Sequence, residues 1–199
     1  KNSSENLSQV SLELGGKSPV AVFDDADQEN ALNGITAGIF GASGQSCIAG
    51  SRLYLHEKIY DEFLNKFIEE VGKITVGNGL EEGIVSGPLI DKSSLEKVID
   101  HVQDAVNTGA KIAIGGDIHS IGGNFYQPTV LSNVSRRAKI TSEETFGPVA
   151  PLYKFSSDDE VIEMANDTPY GLASYFFSRD IGRIWRVAEA LEYGIVSIN

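Results

Sequence analysis

Apolar positions along the chain switch repeatedly between a spacing of two and a spacing of three to four, the alternation expected of strands interleaved with helices. Val10, Leu12 and Leu14 alternate with Ser11 and Glu13, which predicts a short strand stopped by Gly15-Gly16. A valine-rich run over 19–23 predicts a second strand, ended by Asp24-Asp25. From 27 to about 40, Ala31, Leu32, Ile35 and Ile39 fall near one helical face. Gly34 and Gly38 weaken that helix, each costing about 1 kcal/mol relative to alanine.

The middle of the chain continues in the same way. A strand is expected over 52–56 and a helix over 58–71, with Ile59, Phe63, Phe67, Ile68 and Val71 in register. Five glycines make 72–88 loop-like. The box Ser93-Ser94-Leu95-Glu96 then opens a helix carrying Leu95, Val98, Ile99, Val102 and Val106. A short strand at 111–114 and an extended segment over 126–134 follow. The last third gives strands at 150–155, 172–177 and 194–198, separated by helices over 157–166 and 180–191. The sum is an α/β fold, a three-layer αβα arrangement with a mostly parallel, doubly wound sheet.

Composition narrows what such a fold could serve. The 199 residues are 41% apolar, with 28 acidic against 16 basic side chains and a formal charge of −12. An acidic surface argues against a nucleic-acid partner, because phosphate binding needs a basic footprint. No apolar run approaches the roughly 20 residues that span a bilayer. The single cysteine, Cys47, excludes an internal disulfide framework, and three scattered histidines argue against a Cys/His zinc site. An acidic cytoplasmic protein with one thiol to explain is the expectation.

Cys47 closes the segment Phe40-Gly41-Ala42-Ser43-Gly44-Gln45-Ser46-Cys47. Its glycines allow backbone to approach a ligand closely, and a thiolate beside free amides is a capable nucleophile. A lone cysteine can equally be a small buried hydrophobe, and on spacing alone the two readings are level. Glu13, beside the glycines at the end of a strand, is either a general base or an outward-facing residue. Glu143-Glu144-Thr145-Phe146-Gly147-Pro148 is either a binding loop for hydroxyls and a flat ring or a solvated turn.

The order of these segments is more informative than any one of them. Leu12-Glu13-Leu14-Gly15-Gly16-Lys17-Ser18-Pro19, then Phe40-x-x-x-Gly44-Gln45-x-Cys47, then Glu143-Glu144-Thr145-Phe146-Gly147-Pro148 closely resemble the aldehyde dehydrogenase superfamily. Asn166-Asp167-Thr168-Pro169-Tyr170-Gly171-Leu172 and Gly194-Ile195-Val196-Ser197-Ile198-Asn199 match two further signatures, so the resemblance covers nearly the whole chain.

That resemblance implies an enzyme oxidising a small-molecule aldehyde to an acid with NAD or NADP. Cys47 would attack the carbonyl and Glu13 would activate water. The Cys47 amide would supply half of an oxyanion hole. Glu144 would hold the nicotinamide ribose, Phe146 would pack near the nicotinamide, and Lys97 would lie toward the adenosine end. Residues 1–16 would be a connector and the end of a cofactor-binding domain, with 17–199 the catalytic domain of a chain cut at both ends. Little dehydrogenase activity is therefore expected of this segment alone, and a homodimer or homotetramer is expected of the parent.

Segments such as Phe176-Phe177-Ser178-Arg179-Asp180 look similar to the succinate-semialdehyde branch. Gly41 stands where that branch commonly has an arginine, and Ala49 where some members have a second cysteine; both departures favour an uncharged or differently held aldehyde. Two rivals are a cysteine hydrolase, which needs a histidine beside the thiol, and a non-catalytic structural or binding module on the same scaffold.

Overall fold

The computed structural model describes residues 2–199, with only the backbone of Asn2. Seven strands form one sheet: β1 (Pro19–Val22), β2 (Arg52–His56), β3 (Lys111–Ile114), β4 (Thr129–Ser132), β5 (Val149–Phe155), β6 (Ala173–Phe177) and β7 (Ile195–Ile198). They lie in the order β3-β4-β5-β2-β1-β6-β7. Every neighbouring pair is parallel except β3 with β4. Parallel strands need crossovers, and helices supply most of them: α2 (Gln28–Phe40), α3 (Tyr60–Val71), α4 (Lys92–Asn107), α6 (Asp158–Asn166) and α7 (Ile181–Ala190). One-turn helices α1 (Asn2–Glu5) and α5 (Lys139–Ser142) and a 3-10 turn at Gly41–Gly44 complete the set among the described residues.

Both faces of the sheet are covered, because successive strand residues point to opposite sides. Val20, Val22, Leu53 and Leu55 join Ile35, Ile39, Phe63 and Phe67 in one core, under α2 and α3. Ala21, Phe23 and Tyr54 join Val98, Val102, Val161 and Val187 in the other, under α4, α6 and α7. The expected three-layer, mostly parallel architecture is what the chain adopts. Full burial on both faces explains why β1 and β2 read as continuous apolar runs.

Two local expectations change. Residues 10–14 form no strand; Val10, Leu12 and Leu14 are 58%, 70% and 59% exposed. Their alternation has no sheet face to pack against among the described residues, and a two-residue period alone does not create one. At α4, Asp91 is the cap: its carboxylate accepts from the Ser94 amide at 2.7 Å, and Ser93 donates to that same carboxylate. An acceptor two residues upstream therefore starts the helix earlier than the serine box suggests.

Candidate active site

β5, β2 and β1 are adjacent and parallel, so the segments entering them arrive at the same edge of the sheet. Those segments are 144–148, 44–51 and 13–18, which carry Glu144, Cys47 and Glu13. Register brings them together without any contact in sequence: Pro19 sits opposite Arg52, and Leu53 opposite Leu152.

Glycines set how closely the three segments pack. A Cβ on Gly16 would collide with the carbonyl oxygen of Cys47, and one on Gly44 with the carbonyl oxygen of Gly147. A Cβ on Gly15 would lie 2.9 Å from Glu144 Oε2, and the Gly16 amide donates to Glu144 Oε1 at 2.9 Å. Only residues lacking side chains permit this contact between three backbones.

The thiol loop is strained and firmly held. α2 ends at buried Phe40, and Ala42, Ser43 and Gly44 then turn left-handed in succession, with φ of 48°, 56° and 71°. For Ala42 and Ser43 that conformation costs on the order of 1–2 kcal/mol each, so surrounding contacts must enforce it. The Ser43 hydroxyl donates to the Gly87 carbonyl at 2.9 Å. The Gln45 amide donates to the Pro88 carbonyl at 3.2 Å and its oxygen accepts from the Ile90 amide at 2.8 Å. Tyr175 Oη donates to the Ile48 carbonyl at 2.9 Å. Burial raises the Tyr175 phenol above its ordinary value and the neighbouring Cys47 charge adds to this.

Cys47 is half-buried and unpaired. Among the described residues no acceptor takes up its backbone N–H. Glu13 is exposed on the irregular stretch before β1, and no hydrogen bond holds its carboxylate among those residues. It lies three positions before Gly16, within a chain span of at most about 11 Å of the residue that packs on the Cys47 carbonyl. Glu144 and Phe146 are half-buried at the same edge, Phe146 with a φ of 57°. Lys97 is exposed on α4, one turn before His101, where its charge acts on both Lys17 and His101.

A polar chain behind the loop escapes the sequence reading. Lys17 is fully buried, and its ammonium donates to Thr145 Oγ1 at 3.3 Å. That hydroxyl also lies 3.1 Å from His101 Nδ1, and His101 Nε2 lies 3.4 Å from Glu143. Burial, then the nearby Arg52 charge, bring Lys17 down to about 7, against the opposing pull of Glu144. Burial and Lys17 likewise lower His101. Arg52 is also fully buried and spends its donors on the carbonyls of Lys17, Met164 and Ala165 and the hydroxyls of Tyr54 and Tyr193. One signal could have found His101: it falls on the buried face of α4 with Leu95, Val98 and Val102.

Chemically, the edge offers a nucleophile, an unclaimed amide beside it, a nearby carboxylate and a second carboxylate anchored by one oxygen. None of the three histidines hydrogen-bonds the thiol among the described residues. His56 ends β2 about 13 Å along the strand from its start, on the far side from Cys47. No group of His, Cys, Asp and Glu poised for a metal, and no helix long and apolar enough to cross a membrane, occurs among the described residues.

Comparison with known proteins is consistent throughout. The profile of the aldehyde dehydrogenase family matches residues 1–199. A succinate-semialdehyde dehydrogenase (NADP+) of Escherichia coli K12 is 49% identical over 195 residues, 98% of this chain and 40% of that protein. A glutarate-semialdehyde dehydrogenase of Pseudomonas aeruginosa is 48% identical over the same extent. The crystal structure of a succinate-semialdehyde dehydrogenase from Burkholderia pseudomallei superposes with a TM-score of 0.95 at 47% identity, covering 98% of this chain and 41% of that one. The chain thus spans about 40% of the length of these relatives.

Proposed function

The chain belongs to the aldehyde dehydrogenase family, and from that premise we propose that residues 17–199 form the catalytic domain of an NAD(P)-dependent enzyme oxidising a small aldehyde to its acid. The observation that carries this reading is the three-way backbone packing of Gly16 on Cys47 and Gly44 on Gly147, which gathers thiol and carboxylates at one edge.

Cys47 acts as nucleophile: its sulfur bonds to the carbonyl carbon, and the unclaimed Cys47 amide donates to the oxygen as it gains charge. The nicotinamide, when bound, supplies the acceptor for the hydride that leaves this adduct. Glu13 then takes a proton from water as the water attacks the resulting thioester, releasing acid and thiolate. Its freedom from hydrogen bonds among the described residues leaves both carboxylate oxygens available for that task.

The residues suit a dinucleotide. Glu144 is fixed through Oε1 by Gly16, which leaves Oε2 to accept from ribose hydroxyls. Phe146 presents a half-exposed ring for the nicotinamide, and Lys97 an exposed cation toward the adenosine end. A cytoplasmic location is part of the same proposal, supported by the unpaired thiol. So is a homodimeric or homotetrameric parent, supported by exposed Ile181 and Trp185 on α7 and tested by sedimentation.

The test needs no cofactor. Residues 1–199 mixed with p-nitrophenyl acetate should release a burst of nitrophenolate while one acetyl group appears on Cys47 by peptide mass spectrometry. Cys47→Ala should lower that burst more than ~10³-fold, the scale of loss when a nucleophile is removed. Glu13→Gln should leave acylation and prolong the acetyl-enzyme. A burst surviving in Cys47→Ala would overturn the assignment. Loss of the burst in His101→Ala would point instead to a histidine-assisted hydrolase.

A further inference from the structure

Two Asn-Gly pairs occur in the chain, Asn33-Gly34 and Asn78-Gly79, and both residues of each pair are exposed. Such a pair can react with itself. The glycine amide nitrogen lies within reach of the asparagine side-chain carbonyl carbon, and no Cβ on the glycine stands in the way. Closing that ring requires a backbone that is free to rotate, so the local fold decides which pair reacts.

The two pairs are held differently. Asn33-Gly34 lies inside α2, where the Gly34 amide belongs to the helical ladder and the turns on either side fix its dihedral angles. Asn78-Gly79 lies in the loop that leaves Gly77 and returns to Ser86, two residues whose backbones bond at 3.0 Å. There the Leu80 amide donates to Asn78 Oδ1 at 3.2 Å, and the Glu81 amide donates to the Asn78 backbone carbonyl at 2.9 Å. The first bond folds the side chain back over the peptide that follows it. It also draws electron density from the carbon that would be attacked. Among the described residues no acceptor takes up the Gly79 N–H. A Cβ built on Gly79 would meet nothing within 4 Å, so the loop has room for the ring.

We propose that Asn78 is a site of self-catalysed deamidation, which converts it through a succinimide to iso-aspartate and aspartate while Asn33 stays intact in the folded chain. Gly79 N gives up its proton and bonds to Asn78 Cγ. The Cγ–Nδ2 bond breaks, and Nδ2 leaves with that proton as ammonia. Water then opens the imide. Attack at the backbone carbonyl leaves the chain running through Cγ, one atom longer, and attack at Cγ restores the ordinary link. Neither step changes an oxidation state. Each conversion adds a negative charge, close to Glu81 and Glu82, on a chain already at −12. The inference stands apart from the aldehyde chemistry, since it needs neither Cys47 nor a cofactor.

The test ages folded 1–199 in mildly alkaline buffer and follows each asparagine by peptide mass spectrometry, where deamidation adds about 1 Da. Iso-aspartate is counted separately, by enzymatic methylation with labelled S-adenosylmethionine. Asn78 should convert at least tenfold faster than Asn33, and its rate should climb with pH as the Gly79 amide loses its proton more readily. In denaturant that lead should disappear, because the helix alone protects Asn33. Gly79→Ala has room for its methyl group and a backbone outside the left-handed region. It should keep the melting temperature of the wild type and slow the conversion at least tenfold. Asn78→Gln should remove the methylation signal. Equal rates at Asn78 and Asn33 in the folded chain would overturn the proposal, as would an undiminished rate in Gly79→Ala. An Asn78 that converts only in denaturant would show that its loop protects it, and would overturn the proposal as well.

Discussion

The two edges of the sheet are built on opposite principles. At the carboxyl edge, where β1, β2 and β6 end, every turn is cross-linked by ions. Asp25 accepts from Ser178 Oγ at 3.0 Å, the Arg179 amide at 2.9 Å, the Asp180 amide at 2.8 Å and Arg183 Nη1 at 2.7 Å. Burial pushes its carboxyl up, but those donors more than offset this and hold it below the usual range. Arg183 also bonds Asp158 at 3.1 Å, Lys58 pairs with Asp24 at 2.9 Å, and Arg186 meets Asp158 as well. At the amino edge the segments touch backbone to backbone, the turn at 42–44 is strained, and buried Lys17 has a hydroxyl for a partner while Arg52 repels it.

Open α/β sheets ordinarily place ligands beyond the carboxyl ends of their strands. Here that end is filled by matched charges, and the reactive groups gather at the other. An edge locked by ion pairs has little room to bind; an edge of glycines and under-compensated charge keeps room at a cost in stability.

The sharpest way to break this contrast is Gly16→Ala. Its methyl group would strike the Cys47 carbonyl, a backbone atom that cannot swing aside. The variant should lose about 3 kcal/mol, the upper range for overpacking, and most of the acylation burst. Full stability and activity, read by urea titration and the ester assay, would show that the amino edge is not closely packed.

At the other edge, Arg183→Ala leaves Asp25 and Asp158 without their shared cation, and Arg183 is only 22% exposed. A loss of about 2–3 kcal/mol is expected, somewhat below the figure for a fully buried pair. The ester burst should persist under conditions where the variant is folded; its loss would mean that the edges are not independent.

The effect that depends on pH is that of Lys17→Met. The unfolded chain holds this proton up to the ordinary value of 10.5, whereas the folded chain releases it near 7. The native state is therefore penalised in full below about pH 7, and the penalty fades as pH rises toward 10.5. The variant should melt above wild type at about pH 6, by about 2–4 °C for each kcal/mol relieved, with the gap narrowing toward about pH 10. A gap independent of pH would remove the charge strain from the picture.

How far these edges are legible in sequence depends on the range of the contacts. β1, β2 and β5 read directly as apolar runs, and α3 and α4 as periodic ones, because each is dictated by neighbours a few positions away. The 10–14 alternation misleads because pairing needs a partner strand, which periodicity does not report. Cys47, Glu13 and Glu144 stand out only through the order of their segments and the resemblance it carries, since the glycine-rich setting of each leaves two readings open. Lys17, Thr145 and His101 do not, since their association spans 128 and 44 positions and arises only when the strands align. Asp25 likewise looks like half of an ordinary turn until Arg183, 158 residues away, reaches it.

The left-handed run at 42–44 has a practical corollary. Both ends of that turn are tied to carbonyls and amides of 86–90, so the count of residues between Phe40 and Cys47 is fixed, and an added residue would carry the sulfur off its mark. The stretch 78–83 differs: its residues are exposed, its hydrogen bonds reach only Thr75, Ile84 and one another, and Gly79 has nothing near where a side chain would grow. An epitope or a fluorophore spliced into 79–83 would mark the protein without disturbing its reactive edge.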